Sequence, residues 1–167
     1  MKKMIIMVGI PGSGKSYWLE THKQYFAKTN SIISRDEIRF SLVKEDEPYF
    51  SKEPEVYQKF IDQIKVSLSI NEETYVDATH INERSRAKLF RSLGSALKNV
   101  EVHAIVFKVP LKLALNRNSQ REGRCRVPDE AIKRMYSQFE VPTIDEGFDG
   151  ISIWGREDGT VVEFVKE

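Results

Sequence analysis

Residues Gly9–Ser16 read GIPGSGKS and fill every defining position of the pattern G-x-x-x-x-G-K-[ST]. Such a loop does one kind of chemistry. Glycines at Gly12 and Gly14 let backbone N–H groups turn inward around phosphate oxygens, and the N-terminus of a following helix adds positive potential. Lys15 can then reach β- and γ-phosphates, and the Ser16 hydroxyl can ligate Mg²⁺. The expected nucleotide-binding set is Gly12, Ser13, Gly14, Lys15, Ser16 and Tyr17. A glycine-rich turn with no ligand would not need the whole pattern between a strand and a helix.

A phosphate loop does not fix the reaction. NTPases that hydrolyse for mechanical work end a later apolar strand in an acidic pair, one residue for magnesium and one to activate water. Here that strand ends VDATH, so Asp77 is followed by alanine. Asp77 remains a candidate metal contact through water, and transfer to an acceptor other than water is expected.

Two further stretches could serve an acceptor. Ser34–Phe40 reads SRDEIRF; in a helix from Asp36, Asp36 and Arg39 share one face at i, i+3. A carboxylate beside a γ-phosphate accepts the proton of an attacking hydroxyl, and a guanidinium one turn away holds an anion in fork geometry. An exposed helix start with an i, i+3 ion pair has the same spacing. The position at the end of a second strand, beside the first loop of a parallel sheet, favours the functional reading. Asn116–Arg126 reads NRNSQREGRCR, with Arg117 and Arg121 four apart on one helix face and Arg124 and Arg126 in a loop. It is either a solvated basic helix end or an arginine lid over about residues 117–127; the absence of lysine favours the lid, because arginine fits phosphate better.

These residues need a scaffold. Met4–Val8 (MIIMV) is apolar throughout, as in a parallel strand covered on both faces. Further strands are expected at Ser31–Ser34, Thr74–Asp77, Val102–Val109, Ile151–Trp154 and Val161–Val165, the last two joined by the turn GREDG. Helices are expected at Lys15–Ala27, from Asp36, at Glu55–Ile70, Glu83–Leu97 and Leu111–Gln120, and after Pro128. Alternating strands and helices define an α/β doubly wound domain, expected to be one unit over residues 1–167. Glu83–Arg91 (ERSRAKLFR) reads as a solvated helix face or as a basic track for an acceptor strand.

The composition, 40% hydrophobic and 31% charged with net charge +1, is that of a globular domain with no global field for polyanions. A single cysteine, Cys125, fits a reducing compartment. No apolar stretch is long enough for a membrane helix, so no membrane contact is expected and a cytoplasmic location is.

The ordered set GIPGSGKS, SRDEIR, DATHIN, LNRNSQR and VPDEAIKRMYSQFEVPTIDEGFD resembles the polynucleotide 5′-hydroxyl kinases of phages and repair enzymes, over most of the chain. The resemblance implies a P-loop kinase fold similar to adenylate kinase, with a parallel sheet of order 2-3-1-4-5 flanked by helices and an arginine-bearing lid. It implies ATP and Mg²⁺ as cofactors, held by Lys15 and Ser16. Asp36 would be the general base on a 5′-hydroxyl, Arg39 would grip the acceptor's 3′-phosphate, and Thr79 would face the acceptor. Arg121, with Arg117, would sit on the donor phosphates, making Lys15, Asp36 and Arg121 the catalytic set. The implied partner is a nucleic acid 5′-hydroxyl end or a nucleotide acceptor; no protein partner is implied. The sequence departs from the family at His80, where members often have asparagine. Related P-loop kinases act on a small metabolite, nucleoside or sugar, which is the first alternative; a nucleotide-binding regulatory module is the second.

Overall fold

The structure is a computed structural model that describes residues 1–157 and 160–166, with side-chain environments through residue 155. In chain order the elements are β1 (Lys2–Val8), α1 (Lys15–His22), β2 (Asn30–Ser34), α2 (Arg35–Leu42), α3 (Glu53–Ile70), β3 (Glu73–Asp77), α4 (Glu83–Leu93), β4 (Val100–Lys108), α5 (Leu111–Ser119), α6 (Asp129–Ser137), β5 (Gly150–Glu157) and β6 (Thr160–Lys166). The sheet runs β2-β3-β1-β4-β5-β6. Its first five strands are parallel, in the expected order 2-3-1-4-5, and β6 is added antiparallel to β5. The turn GREDG falls partly on Asp158 and Gly159, outside the described residues.

The continuous apolar run of β1 is explained by two cores. Met4, Ile6 and Val8 point to one face, where α3 supplies Val56, Phe60, Ile64 and Leu68 and α4 supplies Leu89 and Leu93. Ile5 and Met7 point to the other, against Leu19 and Trp18 of α1. Alternate side chains of a strand face opposite sides of the sheet, so both sets must be apolar. A third cluster, with Ile10, Ala114, Val127 and Ile132, seats α5 and α6 beside the first loop.

Two helices are shorter than their sequence patterns suggest. The first ends at His22 and tightens into a 3-10 turn at Lys23–Tyr25, after which the Phe26 ring stacks on Tyr75 at 3.8 Å between centroids. α4 ends at Gly94, whose φ of 49° leaves the helical region. The face of α4 is also not wholly solvated. Arg86 is fully buried, with Nε and Nη2 donating to Glu146 at 2.7 and 3.2 Å and Nη1 to the carbonyls of His80 and Glu140 at 2.9 Å each. His80 is buried too, not presented to a substrate. It sits at φ 43°, donates from Nδ1 to the Met7 carbonyl at 3.3 Å and lies 6.1 Å from the Phe60 ring. Burial drives its pKa down to about 3, so the ring is neutral in the folded protein.

Candidate active site

The parallel register sets the strand ends level: Asp77 of β3 lies opposite Met7 of β1 and Ser34 of β2. Everything just beyond those ends converges on one place. There a cavity of about 730 Å³ is lined by the first loop, the start of α2, Asp77 and Thr79 after β3, and Arg117 and Arg121 from the α5 side. The sequence-derived residues Gly12, Ser13, Gly14, Lys15, Ser16, Tyr17, Asp36, Arg39, Asp77, Thr79, Arg117 and Arg121 all border this single cavity.

The loop's shape depends on its glycines and its neighbours. Gly12 has φ 82°, and a Cβ there would come within 2.7 Å of the Ala114 carbonyl oxygen, so α5 packs directly on the loop. Gly14, at φ 103°, begins α1. Gly9 N–H donates to the Thr79 carbonyl at 3.0 Å and Arg117 Nη1 to the Gly12 carbonyl at 3.0 Å, tying the loop to β3 and α5. Lys15 Nζ donates to the Gly9 and Ile10 carbonyls at 2.7 and 3.0 Å. Burial pulls its pKa from 10.5 down to about 8, against Asp77 and Asp36, which raise it; Arg121 lowers it further. Burial likewise holds the Asp77 carboxyl above its usual range, opposed by Lys15 and assisted by Asp36 and Glu37. Lys15, Asp36, Asp77 and Arg121 therefore act on one another electrostatically. Ser13 Oγ is buried without a hydrogen-bond partner, a donor that a phosphate oxygen would satisfy.

The wall of the cavity that carries Asp36 and Arg39 is built on a helix start. Ser34 caps α2 by accepting from the Glu37 N–H at 3.3 Å, which places Asp36 in the first turn, exposed to the cavity. Arg39, one turn on, is only 6% exposed and forms an ion pair with Asp36. Its other partner is Glu53, at the start of α3, which accepts from Nε at 2.6 Å and Nη2 at 3.1 Å. Tyr49 and Phe50 flank the guanidinium, with centroids 4.8 and 5.3 Å away. Burial acts most strongly, to raise the Glu53 pKa, but the bonds and charges of Arg39 and Arg35 together outweigh it and hold the carboxyl below its usual range. Burial beside Asp36 pushes the Tyr49 phenol up to about 12.

Sequence reasoning missed Glu53 and Arg35. Glu53 also takes Arg35 Nη2 at 3.0 Å, so one carboxylate fixes two arginines. Its position beyond a loop from Arg39 leaves no periodic signal. The arginine cluster also divides. Arg117 and Arg121 border the cavity, whereas Arg124 donates to the Phe40 and Val43 carbonyls and lies 4.9 Å from the Phe40 ring. Arg126 pairs with Asp129 at 3.7 Å. Trp18 and Trp154 meet edge to face at 6.4 Å and border the cavity as well.

A phosphate loop between β1 and α1, a five-stranded parallel core and charged side chains gathered beyond the strand ends define a P-loop kinase-like, nucleotide-binding domain. Residues 4–142 match the family described as AAA domain (AAA_33), and the chain belongs to that family. It is 30% identical over 146 residues to L-seryl-tRNA(Sec) kinase of Methanococcus maripaludis, covering 83% of this chain and 53% of that protein. It is 24% identical to a protein of Autographa californica nuclear polyhedrosis virus named as a bifunctional polynucleotide kinase/RNA ligase, covering 83% of this chain and 21% of that one. The chain thus spans about half or less of the length of these relatives. The crystal structure of Chaetomium thermophilum Kti12 in complex with ADP-AlF3 shares the fold, with a TM-score of 0.65 at 14% identity over 93% of this chain and 90% of that one. No helix among the described residues is long and apolar enough to cross a membrane.

Proposed function

We propose that the protein is an ATP- and Mg²⁺-dependent kinase that transfers the γ-phosphate to the 5′-hydroxyl of a polynucleotide or 3′-nucleotide. One observation carries the reading: Asp36, exposed at a helix start, shares a cavity with the phosphate-loop lysine, and its charge acts on both Lys15 and Asp77. A carboxylate so placed accepts a proton from an attacking hydroxyl. The acceptor oxygen forms its bond to γ-phosphorus as the bond to the β–γ bridging oxygen breaks, the hydroxyl proton passes to Asp36, and ADP leaves. Lys15 and Arg121 stabilise charge on the transferred oxygens, and Arg117 supports the loop while facing the donor. The donor set fits a magnesium ion: a hydroxyl at Ser16 and, through water, a half-buried carboxylate at Asp77 would hold it, and it would neutralise the β- and γ-oxygens. Thr79, which borders the cavity, would face the acceptor in this reading.

Arg39 is the acceptor clamp in this reading. Glu53 takes two of its five N–H groups, and Asp36 and the Tyr49 hydroxyl face the Nη1 pair. The acceptor's 3′-phosphate would replace Asp36 on Nη1 as that carboxylate turns to the hydroxyl, while Glu53 keeps the guanidinium in place. The name of the viral relative, a polynucleotide kinase/RNA ligase, supports this class, whereas that of the Methanococcus relative names a seryl group carried on tRNA. The enclosure of Arg39 favours a second reading, a small hydroxyl acceptor that needs no phosphate grip.

Radiolabelled ATP with three acceptors separates these readings: a 5′-hydroxyl oligonucleotide, a nucleoside 3′-monophosphate and the bare nucleoside. Label on the first two alone supports the proposal. Label on none, with ATP still bound, overturns it in favour of another hydroxyl. In a transferring enzyme, Asp36→Asn should reduce turnover by about 10²–10⁴-fold while leaving ATP affinity intact. Unchanged turnover would remove Asp36 from the mechanism.

A further inference from the structure

We propose that a basic track leads out of the cavity across α3 and along the outer face of α4, and that it carries the 3′-ward strand of a single-stranded polynucleotide acceptor. The inference rests on the kinase reading above and names the acceptor class more narrowly. The track begins at Arg35, which borders the cavity beside Asp36. Its guanidinium lies 5.4 Å from the Tyr57 ring centroid and 6.0 Å from that of Phe60, and its Nε is buried without a hydrogen-bond partner. The Tyr57 ring is the next step. Lys88 Nζ lies 4.3 Å from its centroid, and its hydroxyl meets Ser92 Oγ of α4 at 2.8 Å. One aromatic side chain of α3 thereby joins a cation at the cavity to a cation on α4.

On α4 the line continues. Arg84, Lys88 and Arg91 stand at i, i+4 and i+7, one stripe of the helix, and all three are exposed. Among the described residues none of the three has a carboxylate within ion-pair distance. The same helix treats its other internal arginine in the opposite way: Arg86 is buried against Glu146. Paired surface charges occur elsewhere on the molecule, as in Glu20–Lys23 and Glu130–Lys133. An unpaired stripe of one sign on a chain of net charge +1 is a local field, not a global one. Helix geometry spaces the first two cations by about 6 Å along the axis. Cations at that interval suit the phosphates of a single strand, and a mononucleotide would not reach them.

The test compares the wild-type chain with the triple variant Arg84→Glu, Lys88→Glu, Arg91→Glu. A parallel Gln triple variant guards against loss of the fold through repulsion, and thermal melting checks both. Transfer is measured to a single-stranded 5′-hydroxyl oligonucleotide and to a nucleoside 3′-monophosphate, and binding of the oligonucleotide is followed by fluorescence anisotropy across salt concentrations. The expected result is a fall of about tenfold or more in kcat/KM for the oligonucleotide, with the mononucleotide unchanged. The slope of log affinity against log salt should become shallower by about 2, from three phosphate contacts at roughly 0.7 each. Equal effects on both acceptors, or none, overturn the track. Wild-type protein that labels neither acceptor overturns the kinase reading instead; the anisotropy arm still decides the track, because unchanged oligonucleotide affinity in the variants removes it. A duplex that outcompetes the single strand also overturns it.

Discussion

The Glu53→Gln substitution tests whether one carboxylate organises the wall of the cavity that carries Arg35 and Arg39. Glu53 accepts three hydrogen bonds, from Arg39 Nε and Nη2 and from Arg35 Nη2. Charge-assisted bonds contribute about 1.5–3 kcal/mol each where water is excluded. The side chains are 7% exposed for Arg39, 26% for Glu53 and 27% for Arg35, so the Arg35 bond counts for less. Glutamine keeps one acceptor for Arg39 but turns an NH₂ towards guanidinium donors. The net loss should be about 2–3 kcal/mol, or about 4–12 °C in Tm for a chain of this size. Urea unfolding of both proteins between pH 3 and 7 measures it. Burial, the largest single influence, acts to raise the folded-state pKa of Glu53, but the bonds and charges of Arg39 and Arg35 together hold it below its 4.5 reference. Its contribution is therefore fully present above that reference value and is lost as pH falls through the folded value. The gap between the two proteins should be flat near neutrality and shrink in acid. Acceptor KM should rise while ATP affinity holds. A gap below about 0.5 kcal/mol, or one that persists unchanged into acid, would refute the reasoning.

Two further substitutions probe the scaffold. Arg86→Met removes a buried guanidinium and strands the Glu146 carboxylate, 7% exposed, and two backbone carbonyls. The expected loss is about 3–5 kcal/mol, recovered only in part by adding Glu146→Leu, since the two carbonyls stay unpaired and the Thr143 N–H loses its acceptor; a melting curve within a degree or two of wild type would show the pair to be dispensable. Gly12→Ala sets a Cβ 2.7 Å from the Ala114 carbonyl at a positive φ. It should abolish binding of a fluorescent ATP analogue while circular dichroism stays native, and wild-type affinity would contradict the close packing of α5 on the loop.

Much of this molecule is legible in its residues because the relevant signals are local. The phosphate loop is written in eight consecutive positions, and the period-two burial of β1 follows from its unbroken apolar run. The i, i+3 spacing of Asp36 and Arg39 follows from helix geometry alone. Other features were misjudged for a physical reason. Helix ends at His22 and Leu93 depend on a 3-10 turn and a positive-φ glycine that a hydrophobic pattern does not record. Arg86 belongs to a charged stretch that looks solvated, and only a glutamate sixty positions later makes its burial affordable.

By itself, then, the sequence determined the nucleotide-binding phosphate loop and the α/β class, since backbone geometry and short-range spacing suffice for both. Only the tertiary structure decided which arginines matter where. Arg117 and Arg121 turn to the cavity, Arg124 is held by the end of α2, Arg39 is pinned by Glu53, and Arg35 meets Lys88 across one tyrosine ring. A guanidinium is long and flexible, and its charge is stable wherever a carboxylate, a carbonyl or a ring accepts it. Those partners come from distant segments, so they are fixed only when the sheet brings its strand ends level.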